Sequence, residues 1–294
     1  MSASCIILKI LFTVYHSSPG IARTLLLCYS KVKQRLEGEP VVRKWKITIP
    51  ELSGTEERNA YVYLPDSYEE NPKTRYPVLY MFDGHNVFFD EDATYGKCWG
   101  MKEYMDRTET QMIIAAVECN HSPDHGRLRE YAPFSFRDSQ CGSITGMGHV
   151  TMEWLVHTFK PFIDREYRTL PDRKNTYIAG SSMGGLMSIY AVTQYNHIFR
   201  GAAALSPSVW TAPVKLEQMI RRVKIRPDTV VYMDYGAKEM EQRPDVRKHI
   251  EMTAAVLLQK KVLLTGRIIP GGTHCEASWE RQIPFFMNTL LYEP

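Results

Sequence analysis

The sequence predicts one doubly wound α/β domain, built on a mostly parallel sheet of about eight strands flanked by helices. Three observations carry this prediction. Apolar, β-branched runs alternate along the chain with segments of helical period, the order that a parallel sheet with covering helices produces. Runs such as PVLYMF and MIIAAVEC are apolar throughout, as strands buried on both faces must be. At 294 residues, 44% of them hydrophobic, the chain can bury about 75% of its unfolded surface without disulfide or metal support. This is an ordinary globular composition, which excludes a disordered chain, a collagen-like repeat and a multi-span membrane protein.

The expected strands are Lys44–Ile49, Ala60–Leu64, Val78–Phe82, Met112–Glu118, Thr176–Ala179, Ala202–Leu205, Thr229–Asp234 and Val262–Ile269. The first two are close enough to form a hairpin. The expected helices are Val150–Glu166, Met183–Tyr195, Val214–Val223, Val246–Lys260 and Glu276–Leu291. Cys119–Gly148 shows little periodicity. A long loop inside a compact domain is usually functional or disordered, and this one, carrying Tyr131, Phe134 and Phe136, is expected to fold over the ligand crevice. That crevice should lie at the C-terminal ends of the strands.

Lys and Arg total 36 against 33 Asp and Glu, a net charge of +3, too small to imply nucleic-acid binding. The first 48 residues hold eight basic and two acidic residues, so the basicity belongs to that stretch. Residues 1–40 read as a leader outside the core, poorly ordered, and 41–294 as the catalytic domain. The apolar run at residues 5–14 is interrupted by Lys9 and falls short of the ~20 residues of a membrane span. It also lacks the basic flank and cleavage site of a signal peptide. The six cysteines form no CxxC pair and read as reduced thiols. A cytoplasmic protein is expected, with no membrane partner, and nothing here indicates its oligomeric state.

Gly180-Ser181-Ser182-Met183-Gly184 fits G-x-S-x-G, between a β-rich run and a helix-forming run. A serine at such a strand-to-helix turn is held in a strained backbone conformation with its hydroxyl exposed. The glycines two residues either side give the turn its room. The helix N-terminus then aims amide donors and a positive dipole end at a developing oxyanion. Ser182 is therefore the expected nucleophile and the Met183 amide an oxyanion donor. Ser181 is out of register with the glycines.

Three histidines follow: His197, His249 and His274. His197 sits at a helix end and His249 mid-helix on an expected solvated face. His274, after the last strand and after Gly271-Gly272, can swing toward Ser182 and is the expected base. The acid should follow the strand TVVYMD. The candidates are Asp234, Glu239, Glu241 and Asp245; Asp234, ending the strand, and Glu239, after the turn, both suit on position, since either carboxylate can orient the imidazole. The second oxyanion donor should come from Asp83-Gly84-His85-Asn86, with the His85 amide the best placed.

Together PVLYMFDGHNVF, REYAPF, TYIAGSSMGGLMSIY, SPSVW, DYGAKE and GGTHCEASWE resemble the putative-esterase group of α/β-hydrolases, over about residues 41–292. That group includes enterochelin-esterase-like proteins and family 1 carbohydrate esterases. The resemblance implies an α/β-hydrolase fold with a minimal cap, Ser182 as nucleophile and His274 as base. It favours Glu239 as the acid, in the turn Gly236-Ala237-Lys238-Glu239, and the His85 amide as oxyanion donor, although relatives often carry Gln there. It also implies a crevice lined by Trp210. The expected activity is a serine carboxylesterase acting on small esters, acetyl or feruloyl esters of carbohydrates first. Siderophore esters, acyl transfer to an acceptor other than water, and a non-catalytic binding scaffold are the alternatives.

Tyr131, in the same long loop, is taken as substrate-facing. Arg127 and Arg129 could hold an anionic group, Arg129 being the choice for a substrate contact. His121 and His125 have helical i, i+4 spacing, but Pro123 and Gly126 argue for a loop. No metal is expected there. No phosphate-cradling or dinucleotide motif is present, so no cofactor is expected.

Overall fold

The computed structural model describes residues 42–292; the leader expected at 1–40 lies outside the described residues. In chain order the elements are β1 (Val42–Thr48), α1 (Pro50–Ser53), β2 (Glu57–Tyr63), α2 (Ser67–Glu70), β3 (Val78–Met81), α3 (Met101–Thr108), β4 (Ile113–Val117) and α4 (Gly126–Glu130). A small hairpin, β5 (Phe136–Asp138) and β6 (Gly142–Ile144), comes next. Then follow α5 (Gly148–Trp154), a π-helical stretch (Leu155–Phe159), α6 (Lys160–Glu166), β7 (Thr176–Ser181), α7 (Met183–Gln194) and β8 (Gly201–Leu205). The chain ends with α8 (Pro213–Arg222), β9 (Val230–Gly236), α9 (Ala237–Gln242), α10 (Pro244–Gln259), β10 (Leu263–Ile269), α11 (Glu276–Glu280) and α12 (Ile283–Leu290).

Eight strands form one sheet in the order β1-β2-β4-β3-β7-β8-β9-β10. β1 and β2 are antiparallel, as are β2 and β4; every other pairing is parallel. The mostly parallel sheet expected from the sequence is present. Every residue of β3, β7 and β8 is buried, which matches their continuous apolar character. β10 lies at the edge and alternates between exposed and half-buried, as a strand with one open side does.

Four departures have physical reasons. α3 was not expected; Met101 and Met105, one turn apart and both fully buried, were its legible signal. The expected helix 276–291 divides into α11 and α12, because Pro284 has no amide to donate back along a continuous helix. Cys119–Gly148 contains α4 and the β5–β6 hairpin. His249 is half-buried, not solvated, with a buried Nδ1 that has no hydrogen-bond partner.

The parallel register positions the site. Ser181 pairs with Leu205, Leu205 with Asp234, and Gly236 with Ile269. β7 and β8 therefore end together, and β9 and β10 run on together two residues further. Chain segments leaving these strands emerge along one rim, at the strand ends where ligands of open α/β sheets bind.

Candidate active site

Ser182 occupies the turn between β7 and α7 with φ 56° and ψ −119°. A non-glycine residue at positive φ carries strain, as expected for a serine held on a sharp strand-to-helix turn. Gly180 and Gly184 make the turn sterically possible: a Cβ on Gly180 would fall 2.7 Å from the Gly184 backbone. Ser181 is buried as the last residue of β7. Ser182 is half-buried, and its Oγ lies 3.4 Å from the Oγ of Ser208.

Met183 is the first residue of α7, so its amide has no intrahelical partner. The loop after β3 packs against this same helix start. A Cβ on Gly184 would lie 3.1 Å from the Phe82 Cβ and 3.3 Å from Asp83 Oδ2. Asp83 is left-handed, φ 56°, and throws the chain into a single 3-10 turn, Gly84–Asn86, that carries His85. Arg127 grips the Asp83 carboxylate with two hydrogen bonds of 2.7 Å. Burial opposes the charge of Asp83, but the guanidinium overrides it and holds the carboxyl below its ordinary value.

His274 lies after β10 and is exposed on its outer side. Its Nδ1 is 2.6 Å from Glu239 Oε2. Glu239 is largely buried, and its Oε1 accepts from the Gly236 amide at 3.0 Å and the Ser206 hydroxyl at 2.7 Å. Ser206 in turn accepts from Trp279 Nε1 at 3.1 Å, and the Trp279 ring meets His274 edge-on. The two loops dock through glycines. A Cβ on Gly236 would sit 2.4 Å from the Gly272 carbonyl oxygen, and one on Gly272 2.8 Å from the Gly236 Cα. The Lys238 amide donates to that same carbonyl.

Position along the chain left Asp234 and Glu239 open. In space, Glu239 meets the imidazole. Asp234 is buried, accepts from Tyr232 Oη at 2.8 Å and the Ser206 amide at 3.1 Å, and is pushed by burial to a pKa of about 6.

The expected substrate contacts divide. Trp210 is part-exposed two residues past Ser208, with Phe136 of the β5–β6 hairpin edge-on to it and the Arg243 guanidinium 3.7 Å above its ring. The long loop thus does reach this rim. Tyr131, by contrast, is 2% exposed and packs edge-on against Phe82; its hydroxyl accepts from the Asp83 amide at 3.1 Å. It holds the loop from below and does not face a ligand. Arg129 pairs with Asp124, and Arg127 is committed to Asp83, so neither guanidinium is a free anion hook. Sequence reasoning missed Ser206, Ser208 and Glu276. The first two lie in LSPSVW, whose clustered hydroxyls after a strand were the available signal. Glu276, two residues past His274, is buried, and burial raises its pKa.

A strained serine on a strand-to-helix turn, at the rim of an eight-stranded, mostly parallel sheet flanked by helices, is the arrangement of an α/β-hydrolase fold. The Putative esterase family matches residues 53–284, and the chain belongs to it: it is a carboxylic ester hydrolase. The "Uncharacterized protein YbbA" of Bacillus subtilis (strain 168) is 22% identical over 196 residues, 66% of this chain and 73% of its own. The fold is similar to that of a ferulic acid esterase, with a TM-score of 0.60 at 19% identity, over 85% of this chain and 96% of that one. It is likewise similar to the siderophore hydrolase EstA from Aspergillus nidulans, with a TM-score of 0.65 at 16% identity, over 84% and 94% of the two chains. Among the described residues no helix is long and apolar enough to cross a membrane.

Proposed function

We propose that this protein is a serine carboxylesterase that hydrolyses small esters through an acyl-enzyme on Ser182, with His274 as base and Glu239 as the orienting acid. The observation that carries the reading is the 2.6 Å contact between Glu239 Oε2 and His274 Nδ1, made on the rim where Ser182 sits at positive φ. Glu239 fixes the proton on Nδ1 and stabilises the imidazolium. Ser182 Oγ turns from Ser208 toward His274 Nε2, gives up its proton there and attacks the ester carbonyl. Catalytic hydrogen bonds commonly close only when substrate binds. The amides of Met183 and His85 receive the oxyanion. His274 returns the proton to the leaving alcohol, then takes one from water as its hydroxyl attacks the acyl group, and gives that proton to Ser182 Oγ as the acid departs.

Acetyl or feruloyl esters of carbohydrates are the first substrate class. The likeness to a ferulic acid esterase and the aromatic face of Trp210 beside Ser208 support it. Cys98, Cys119, Cys141 and Cys275 are free thiols, which supports a reducing, cytoplasmic setting. The test is Ser182→Ala, assayed on p-nitrophenyl acetate and feruloyl esters. Hydrolysis is expected to vanish while the circular dichroism spectrum is unchanged; retained turnover would remove Ser182 from the mechanism.

A further inference from the structure

The second cluster of reactive side chains lies behind the loop that carries His85. Its geometry follows from the sheet. Met81 pairs with Ala116, so β3 and β4 end together. Gly84 lies so close to the end of β4 that a Cβ would fall 2.9 Å from the Val117 backbone. This brings His85 against the segment leaving β4, where Cys119 and His121 stand. One donor atom from each of His85, Cys119 and His121 lies within 4.8 Å of the others. Cys119 Sγ is 4.0 Å from His121 Nε2, and the two imidazoles meet edge-on at 5.0 Å.

The state of His85 points to a ligand. It is 4% exposed, and its Nε2 is 3.0 Å from Thr94 Oγ1, while Nδ1 is buried with no hydrogen-bond partner. A buried nitrogen left unpaired costs about 1–3 kcal/mol, so it stands out in an otherwise satisfied loop. An imidazole anchored through one nitrogen and open at the other is how metal-binding histidines are held. Glu118 Oε1 is 3.1 Å from His121 Nε2, within reach as a fourth donor.

We propose that His85, Cys119 and His121 form a binding site for Zn2+, with Glu118 or a water completing four-coordination. A thiolate with two imidazoles is a donor set that zinc favours. Tetrahedral zinc bonds of about 2.0–2.3 Å set ligands about 3.5 Å apart, so donor atoms within 4.8 Å of one another close by at most about 1.3 Å. On binding, the Cys119 thiol proton and any proton on the coordinating imidazole nitrogens are released to solvent. No metal site is legible in the sequence, where His121 faces His125 as its apparent partner; only the fold brings His85 across from another strand end.

The full chain is titrated with Zn2+ by calorimetry and, separately, with Co2+ followed in the ultraviolet. The expected result is one Zn2+ per chain and a thiolate-to-cobalt charge-transfer band. Cys119→Ala should abolish the band, and His121→Ala should weaken Zn2+ binding at least tenfold, both variants keeping the wild-type circular dichroism spectrum. Absence of the band in the wild type, or Zn2+ binding unchanged in His121→Ala, overturns the proposal. These readouts do not involve ester turnover, so they stand apart from the assignment of Ser182.

Discussion

Replacing Glu239 with Gln keeps the size and changes one atom's role. Oε1 accepts from the Gly236 amide and the Ser206 hydroxyl, so the glutamine must leave its oxygen in that position. Its NH2 group then occupies the place of Oε2, 2.6 Å from His274 Nδ1. Two donors cannot face each other, so the imidazole must release the Nδ1 proton and carry its proton on Nε2. That tautomer points a proton at Ser182 and cannot accept one. The expected loss in kcat is about 10³–10⁴, the scale of an inverted histidine tautomer in a serine triad, or about 4–5.4 kcal/mol. KM should change little, because Glu239 is buried behind the histidine. The assay is steady-state hydrolysis of p-nitrophenyl acetate, with Asp234→Asn in parallel. Asp234→Asn should stay within about tenfold of the wild type. A Glu239→Gln enzyme that keeps more than a tenth of wild-type kcat, or an equal loss in Asp234→Asn, would refute the reasoning.

Two stability predictions follow from other buried charges. Arg127→Leu leaves the Asp83 carboxylate buried without its two 2.7 Å partners, which should destabilise the fold by roughly 3–5 kcal/mol in urea unfolding; a loss under about 1 kcal/mol would show that the pair does not hold the loop. Asp234 has a folded pKa of about 6 against an ordinary 3.8, so the folded state keeps a proton that the unfolded state has released. Its contribution therefore falls as pH rises from about 4 to about 6, by up to about 3 kcal/mol. Asp234→Asn should flatten that part of the wild-type stability profile; identical profiles for both proteins would contradict the assignment.

Much of this was legible in the chain. The eight strands of the main sheet lie where the sequence predicts them; the central ones, β3, β7 and β8, are the most legible because strands buried on both faces must be apolar throughout. The serine turn was legible because its backbone strain demands glycine two residues either side. His274, proposed as the base, was singled out by chain order and the glycine pair before it, and the structure brings its ring against Glu239. α3 was harder to read, its signal resting on two methionines one turn apart. The hairpin within Cys119–Gly148 was illegible because its strands, three residues each, are too short to establish a period.

What the sequence by itself determined is the class of fold and the serine on the strand-to-helix turn after β7. Position alone did not separate Asp234, within β9, from Glu239, beyond it, although the resemblance favoured Glu239; the crossing of Gly236 and Gly272 sets which carboxylate meets the imidazole. The same holds for Tyr131, read as substrate-facing and found buried with its hydroxyl on the Asp83 amide, and for Arg127, whose guanidinium holds the Asp83 carboxylate. It holds again for His85, whose side chain turns away to Cys119 and His121. Local patterns record which residues a backbone conformation requires. Which side chains meet across the strand ends is set by sheet register, and register is a property of the folded chain.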